Sequence, residues 1–304
     1  MKVQGLKKNY GKSTVVDNVS FEIHKGMVTS FIGPNGAGKS TVIGMISRLV
    51  AKDQGLISFH GKELEKWNSK ELAKHLAILT QSNQIQMKLT VEELVTFGRF
   101  PHCGGRLSGE DEGKISQAIT YMELDEFRNR FIDELSGGQR QRVGIARALA
   151  VNPDFIVCDE PISALDVSIQ SQVVNMLEDM QAEMGLTYLF IAHDLSVVRH
   201  ISNRIGVMYL GSLVELGESY ELNRHPIHPY TQTLLSAVPV PDPQLSRTRK
   251  RIILEGDVPS PMNPPSGCRF HTRCPYATKK CSEEMPKFKE HEPGHWAACH
   301  LLDK

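Results

Sequence analysis

Short apolar runs recur along the chain and end in polar or glycine-rich turns. Val28–Ile32, Leu76–Leu79, Phe155–Asp159 and residues 188–192 are such runs. Their length and lack of alternation predict strands buried on both faces, as in a parallel sheet. Between them the apolar spacing becomes helical. Val42, Met45, Ile46 and Leu49 follow the first run, and Ile115, Ala118, Ile119 and Met122 recur farther on. Val143, Ala146, Leu149 and Ala150 line one side of a helix predicted over 137–150, with Pro153 beyond its end. Thr90 and Ser136 stand where N-caps belong, the former ahead of a helix beginning at Val91. Before residue 75 the text alternates strands, near 15–23 and 55–61, with turns. From about 82 to 133 it is helical, and strand–helix–strand text then runs to about 216. Pro239, Pro241 and Pro243 mark a boundary, because clustered prolines resist both helix and sheet. The pattern predicts an α/β domain over 1–235 with a helical insertion at about 82–134, and a small extension over 236–304.

Composition narrows the class. With 304 residues, 40% hydrophobic content and zero formal net charge, the chain suits a domain with a full core plus an appendage. No stretch approaches the ~20 apolar residues of a membrane span. Met1-Lys2-Val3 leads straight into the first expected strand, with no secretory signal. There is no basic patch for nucleic acid or an anionic lipid surface. A cytoplasmic protein that reaches a membrane only through a protein partner is expected.

The chemistry concentrates in Gly33-Pro34-Asn35-Gly36-Ala37-Gly38-Lys39-Ser40-Thr41. This run has the pattern G-x-x-x-x-G-K-[ST], a loop whose backbone N–H groups cradle nucleotide phosphates. Lys39 is placed to reach the β- and γ-phosphates and the Ser40 hydroxyl to ligate Mg²⁺. Its setting between a buried strand and a helix adds the helix dipole to the free amides. Downstream, Leu135-Ser136-Gly137-Gly138-Gln139 opens another helix with two glycines. Alone it reads equally as a serine-capped helix or as a second anion site.

Together the two motifs resemble the ATP-binding cassette family, in which the signature motif of one subunit closes over the P-loop nucleotide of its partner. The resemblance implies a RecA-like core with an antiparallel β subdomain and a helical subdomain. The other family elements appear in order. Asp159 and Glu160 end an apolar strand, and the resemblance gives Asp159 a share of Mg²⁺ and Glu160 the attacking water. Residues 163–166 match the loop that crosses the dimer interface, with Asp166 at its end. His193 matches the γ-phosphate contact. Gln81 matches the loop that links nucleotide, Mg²⁺ and membrane partner, and Tyr10 the ring stacked on adenine. Singly, such a Tyr, Gln or His is usually structural; their order and spacing make the case. Implied are ATP and Mg²⁺ as cofactors, a homodimer or heterodimer of ATPases, transmembrane permease subunits as partners, and a peripheral place on the cytoplasmic face of the membrane.

Within the family the resemblance is divided. Residues 1–142 resemble ATPases of ferric-siderophore importers, in Ser30 to Gly36, Gln81-Ser82-Asn83, and Leu94 through Pro101. From 135 onward, residues 144–149, 161–170 and His228-Pro229-Tyr230-Thr231 resemble oligopeptide and dipeptide permease ATPases. This reads as a mosaic joined between Glu134 and Arg142, with peptide uptake the favoured function and ferric siderophore the alternative. A soluble non-transport cassette ATPase and a non-productive fusion are further alternatives.

Four of six cysteines lie in the tail: Cys268, Cys274, Cys281 and Cys299, spaced C-x5-C-x6-C-x17-C. In a chain expected to be cytoplasmic they favour metal over disulfide. The spacing lacks the C-x2-C pairs of structural zinc. The peptide-permease resemblance implies a [4Fe–4S] cluster; zinc and free thiols stay open. His271, His295 and His300 are fallback ligands, otherwise expected at the surface. Cys158 reads as core packing and Cys103 as a loop residue.

Overall fold

The computed structural model describes residues 1–80, 88–163, 165–238, 252–254, 256–257 and 259–303. The chain divides into two compact units. One comprises residues 1–22, 28–58 and 193–304; the other comprises 23–27 and 59–192.

In chain order the first unit begins with β1 (Lys2–Tyr10), β2 (Ser13–Glu22), β3 (Val28–Ile32), α1 (Lys39–Ile46) and β4 (Gln54–Phe59), the last residue of which belongs to the second unit. The second unit carries β5 (Lys62–Glu63), α2 (Ser69–His75), β6 (Leu76–Leu79), α3 (Val91–Thr96), α4 (Phe100–Cys103) and α5 (Gly109–Tyr121). It continues with α6 (Gly137–Ala150), β7 (Phe155–Asp159), α7 (Val167–Met184) and β8 (Thr187–Ile191). The chain then returns to the first unit with α8 (Leu195–Ile201), β9 (Arg204–Tyr209), β10 (Ser212–Glu218), α9 (Ser219–Arg224), α10 (Pro229–Ser236), β11 (Lys289–Glu292) and β12 (His295–Ala297).

In the first unit, β1 pairs antiparallel with both β2 and β4. Strict alternation fails in β1, where Val3 and Leu6 both face the core although three residues apart. The register shifts between them, and Gly5 adopts φ 58° there. An extra residue accommodated by a left-handed glycine turns the following side chain back to the core. A second sheet runs β11-β12-β10-β9-β3; β3 and β9 are parallel and the other pairs antiparallel. All five residues of β3 are buried, as its uninterrupted apolar run requires. The C-terminal extension is therefore continuous with this unit: Glu215 of β10 faces Ala297 of β12, and Leu216 faces Trp296.

In the second unit β8, β7 and β6 are adjacent and parallel. Helix α6 spans the predicted 137–150, and its Val143, Ala146, Leu149 and Ala150 are buried. Among α3 to α5, Thr90 and Ser108 both form capping boxes, with Glu93 and Asp111. Asp111 also accepts from the buried Arg99 Nε at 2.8 Å, while Arg99 Nη1 donates to the Ala150 carbonyl at 3.0 Å. One guanidinium thus fastens the α4–α5 region to the C-terminus of α6. With three hydrogen bonds to its charged form, led by that from the Ser108 hydroxyl, Asp111 is held down to about 2.

One expected helical position departs from the pattern. Leu49 is 69% exposed, because α1 stops at Ile46 and Arg48 takes φ 62°, so the helical period does not reach it.

Candidate functional site

In the first unit, β3 delivers the chain into the 33–41 loop and α1 leaves it. Three glycines make the loop possible: Gly33, Gly36 and Gly38 have φ 150°, 78° and 94°. A Cβ at Gly33 would run into the Met208 carbonyl oxygen, and one at Gly38 would meet the Val15 carbonyl oxygen at 2.8 Å. The N-cap of α1 is Gly38, which has no side chain to occupy the first-turn amides. Those amides and the positive end of the helix dipole therefore face whatever anion enters. Lys39 is buried and folds back over its own loop, donating to the carbonyls of Gly33 at 2.8 Å and Pro34 at 3.0 Å. A phosphate that takes this ammonium replaces two neutral acceptors with a charged one, the stronger bond. Asn35, Gly36 and Ser40 are exposed, Ala37 is buried, and Pro34 and Thr41 are half-buried.

Two other residues singled out in the sequence belong to this unit. Tyr10, at the end of β1, is 48% exposed, with Lys8 Nζ over its ring, 5.5 Å from the centre. His193 is exposed immediately before Asp194, which caps α8 through Oδ1 to the amides of Ser196 and Val197.

The tail comes close to the loop in a way its spacing did not reveal. A Cβ on Gly36 would meet Pro261 Cγ at 2.6 Å. Ser13 Oγ donates to the Met262 carbonyl at 2.6 Å, and Arg269 Nη2 to Asp17 Oδ2 at 2.9 Å.

In the second unit, Ser136 Oγ accepts from the Gln139 amide at 3.3 Å, and Gln139 Oε1 accepts from the Ser136 amide at 2.9 Å. The pair is a capping box, so the serine-cap reading of this motif holds. It leaves Gly137 and Gly138 as the side-chain-free opening of α6. A methyl on Gly138 would meet Ile169 Cγ2 at 2.8 Å.

Asp159 and Glu160 are half-buried at the C-terminal end of β7. Glu160 adopts φ 50°, a left-handed conformation that costs a non-glycine residue roughly 1–3 kcal/mol. It is held there by Glu160 N donating to the Ile191 carbonyl at 3.1 Å, and by Ser163 donating to the Glu160 carbonyl through both its amide and hydroxyl. These contacts fix the backbone from which the Glu160 carboxylate projects. Asp166 is exposed at the start of α7, with no side-chain cap. Gln170, overlooked in the sequence, donates from Nε2 to the carbonyls of Ile162 at 3.1 Å and Leu165 at 2.9 Å, pinning the loop between them. Gln81 and Ala164 lie outside the described residues.

Of the six cysteines, Cys158, Cys268, Cys281 and Cys299 are buried, Cys103 and Cys274 half-buried, and all are free. The tail four form one neighbourhood: the Cys268 amide donates to the Cys281 carbonyl at 2.8 Å, and Cys268, Cys274 and Cys299 each feel the charge of other tail cysteines. Burial raises the thiols of Cys268 and Cys274, and that of Cys299 to about 11. No three of their sulfurs lie within 4.8 Å of one another. His295 corrects the expectation of a surface residue. It is buried, with Nε2 donating to Glu215 Oε1 at 2.7 Å. His271 is turned to the Cys268 carbonyl and His300 to Asp303 and the Glu284 carbonyl.

Residues 16–163 match the ABC transporter family, and residues 214–281 match the family described as oligopeptide/dipeptide transporter, C-terminal region. The oligopeptide transport ATP-binding protein AppF of Bacillus subtilis (strain 168) is 45% identical, over 97% of this chain and 92% of AppF. The oligopeptide transport ATP-binding protein OppF of Haemophilus influenzae is 43% identical, over 93% of this chain and 87% of OppF. Among solved structures, a nucleotide-free ATP-binding cassette from an ABC transporter is similar with a TM-score of 0.69 at 28% identity, covering 77% of this chain and 97% of that one. The dimeric bacterial cassette MJ0796 is similar with a TM-score of 0.64 at 31% identity, covering 72% and 98%.

Proposed function

The chain belongs to the ATP-binding cassette transporter family, and from that premise we propose that it is the ATP-hydrolysing subunit of an importer of oligopeptides or dipeptides. The observation that carries the substrate class is the tail: residues 214–281 match the peptide-transporter C-terminal region. Alignment with AppF over 97% of the chain supports one peptide-importer lineage for both halves. Ferric siderophore, suggested by residues 1–142, is the competing substrate.

Each residue takes the role its chemistry suits. The amides of 33–41 and Lys39 hold the β- and γ-phosphates, and Tyr10 stacks on adenine. Ser40 and Asp159 hold Mg²⁺, with Gln81 as a further ligand. Glu160 positions the attacking water and His193 contacts the γ-phosphate. Ser136, Gly137, Gly138 and Gln139, with Asp166, serve the nucleotide of a second ATPase subunit, identical or homologous. No helix among the described residues is long and apolar enough to cross a membrane. Attachment at the cytoplasmic face is supplied by the permease subunits.

We propose that Cys268, Cys274, Cys281 and Cys299, an all-thiol donor set, hold an iron–sulfur cluster, with one zinc ion as the competing reading. Metal binding removes the thiol protons that burial retains. Visible absorption and stoichiometric iron in anaerobically purified protein support the cluster; colourless protein with one zinc refutes it.

Co-expression with a peptide-permease pair and, separately, with a siderophore-permease pair tests the function. Co-purification with the peptide pair and stimulated ATP hydrolysis are expected. Capture by the siderophore pair alone overturns the substrate assignment, and capture by neither overturns the transport role.

A further inference from the structure

We propose that His60, His75 and Asp154 form a binding site for a divalent transition-metal ion of the zinc class, on the second unit and sharing no residue with the phosphate loop or the cysteines. Among the described residues this is the one group of three His, Cys, Asp or Glu ligand atoms that all lie within 4.8 Å of one another.

Each ligand comes from a different, well-anchored place. His60 occupies the turn between β4 and β5 at φ 48°, followed by Gly61 at φ 74°. His75 is the last residue of α2, and Asp154 immediately precedes β7. Backbone bonds lock the latter two together: the Asp154 amide donates to the His75 carbonyl at 3.0 Å, and the Thr187 amide to the Asp154 carbonyl at 3.2 Å. Aromatic edges orient the imidazoles. Phe59 meets His60 at 4.1 Å between ring centres, and Trp67 meets His75 at 5.5 Å.

The donor atoms converge on one point. His75 Nδ1 lies 2.7 Å and His60 Nε2 3.4 Å from the same carboxylate oxygen, Asp154 Oδ2. Zinc bonds to nitrogen and oxygen of about 2.0–2.2 Å put tetrahedral donors about 3.3–3.6 Å apart. The His60–Asp154 separation already matches. The His75–Asp154 pair must open by less than ~1 Å, and the two imidazoles start within the same small compass. Two imidazoles and one carboxylate select zinc, cobalt, nickel or copper over magnesium or calcium, which prefer all-oxygen sets. All three side chains are 39% to 44% exposed, so the ion has an entry path and further positions for water. Bound metal would clip the β4–β5 turn to α2 and to the start of β7.

Cobalt(II) distinguishes this site from the cysteines, because thiolate ligation adds intense charge-transfer absorption that a nitrogen–oxygen site lacks. The nucleotide-free full chain, dialysed against a mild chelator, is titrated with Co²⁺ alongside His60→Asn and His75→Gln. Asparagine tolerates the left-handed turn at residue 60. The wild type is expected to take up one equivalent that contributes weak visible bands, apart from any thiolate-type absorption at the cysteines. Both variants should bind that equivalent roughly tenfold or more weakly, while any thiolate-type absorption stays unchanged. Equal uptake with equal spectra in all three proteins overturns the proposal, as does wild-type uptake showing thiolate absorption alone.

Discussion

Substituting Glu215→Gln removes a charge from the interior of the first unit while keeping the side chain's size, and the C-terminal strands are expected to loosen first. Glu215 lies on β10 and is fully buried. Its carboxylate accepts from the Ile227 amide at 2.9 Å, the His228 amide at 3.0 Å and His295 Nε2 at 2.7 Å. A glutamine offers one acceptor oxygen and turns an N–H₂ group toward the remaining donors, so at least one donor faces another. A buried donor left unsatisfied costs about 1–3 kcal/mol, and Glu215→Gln leaves at least one of three donors so placed. The expected loss is therefore about 1–3 kcal/mol for Gln, and nearer 5 kcal/mol for Ala, which also opens a cavity. The chain has two tryptophans, so a Trp67→Phe background leaves Trp296 as the sole reporter. Trp296 sits opposite Leu216 in the β10–β12 pair and stacks on Phe288 at 6.1 Å. Its fluorescence during urea unfolding follows the tail strands directly. With a slope of roughly 1–3 kcal/mol per molar, the midpoint should fall by about 1 M or more. Coincident midpoints for parent and Glu215→Gln would refute the reasoning that this carboxylate holds the extension to the sheet.

Burial lowers His228 to about 4, while the Glu215 carboxylate acts in the opposite sense. Between pH 6.5 and about 4 the unfolded chain binds a proton that the folded chain refuses. Stability is therefore full above about 6.5 and declines by roughly 3 kcal/mol as pH falls to about 4. His228→Asn, which keeps a cap acceptor for α10, should flatten that acid limb in melts followed against pH. Lys39→Ala should abolish tight ATP binding, whereas Glu160→Gln should retain Mg-ATP and lose about 10²–10⁴-fold in turnover, read by nucleotide binding and phosphate release. Gly33→Ala forces a methyl into the Met208 carbonyl and should destroy nucleotide binding even where the protein still folds, measured by equilibrium binding. Gln170→Ala frees the loop that its amide pins at Ile162 and Leu165; ATPase activity should drop with little change in ATP affinity.

The parts of the fold legible in the sequence are those where one local force decides the outcome. The uninterrupted apolar runs at β3, β7 and β8 had to be buried on both faces, and they are. Ser136, Gly137 and Pro153 bounded α6 because caps and breakers act within a turn of themselves. The phosphate loop was legible because its glycine spacing is local in the sequence, although the contacts that exclude side chains there come from distant residues: Met208 at Gly33, Val15 at Gly38 and Pro261 at Gly36. What stayed hidden depends on residues distant in sequence. Nothing near Glu215 announces that His295, eighty positions later, completes its hydrogen bonds, and so His295 was misplaced at the surface. Nothing near His60 announces His75 or Asp154, since a turn, a helix end and a strand entry meet only after the second unit has packed. Glu160 shows the limit from the other side. Its identity was readable, but its left-handed backbone is imposed by Ile191 and Ser163 together. Those contacts, from β8 and from the loop after β7, tie the aim of the carboxylate to its immediate surroundings. Substitutions that weaken the Ser163 contacts should therefore affect catalysis before they affect folding.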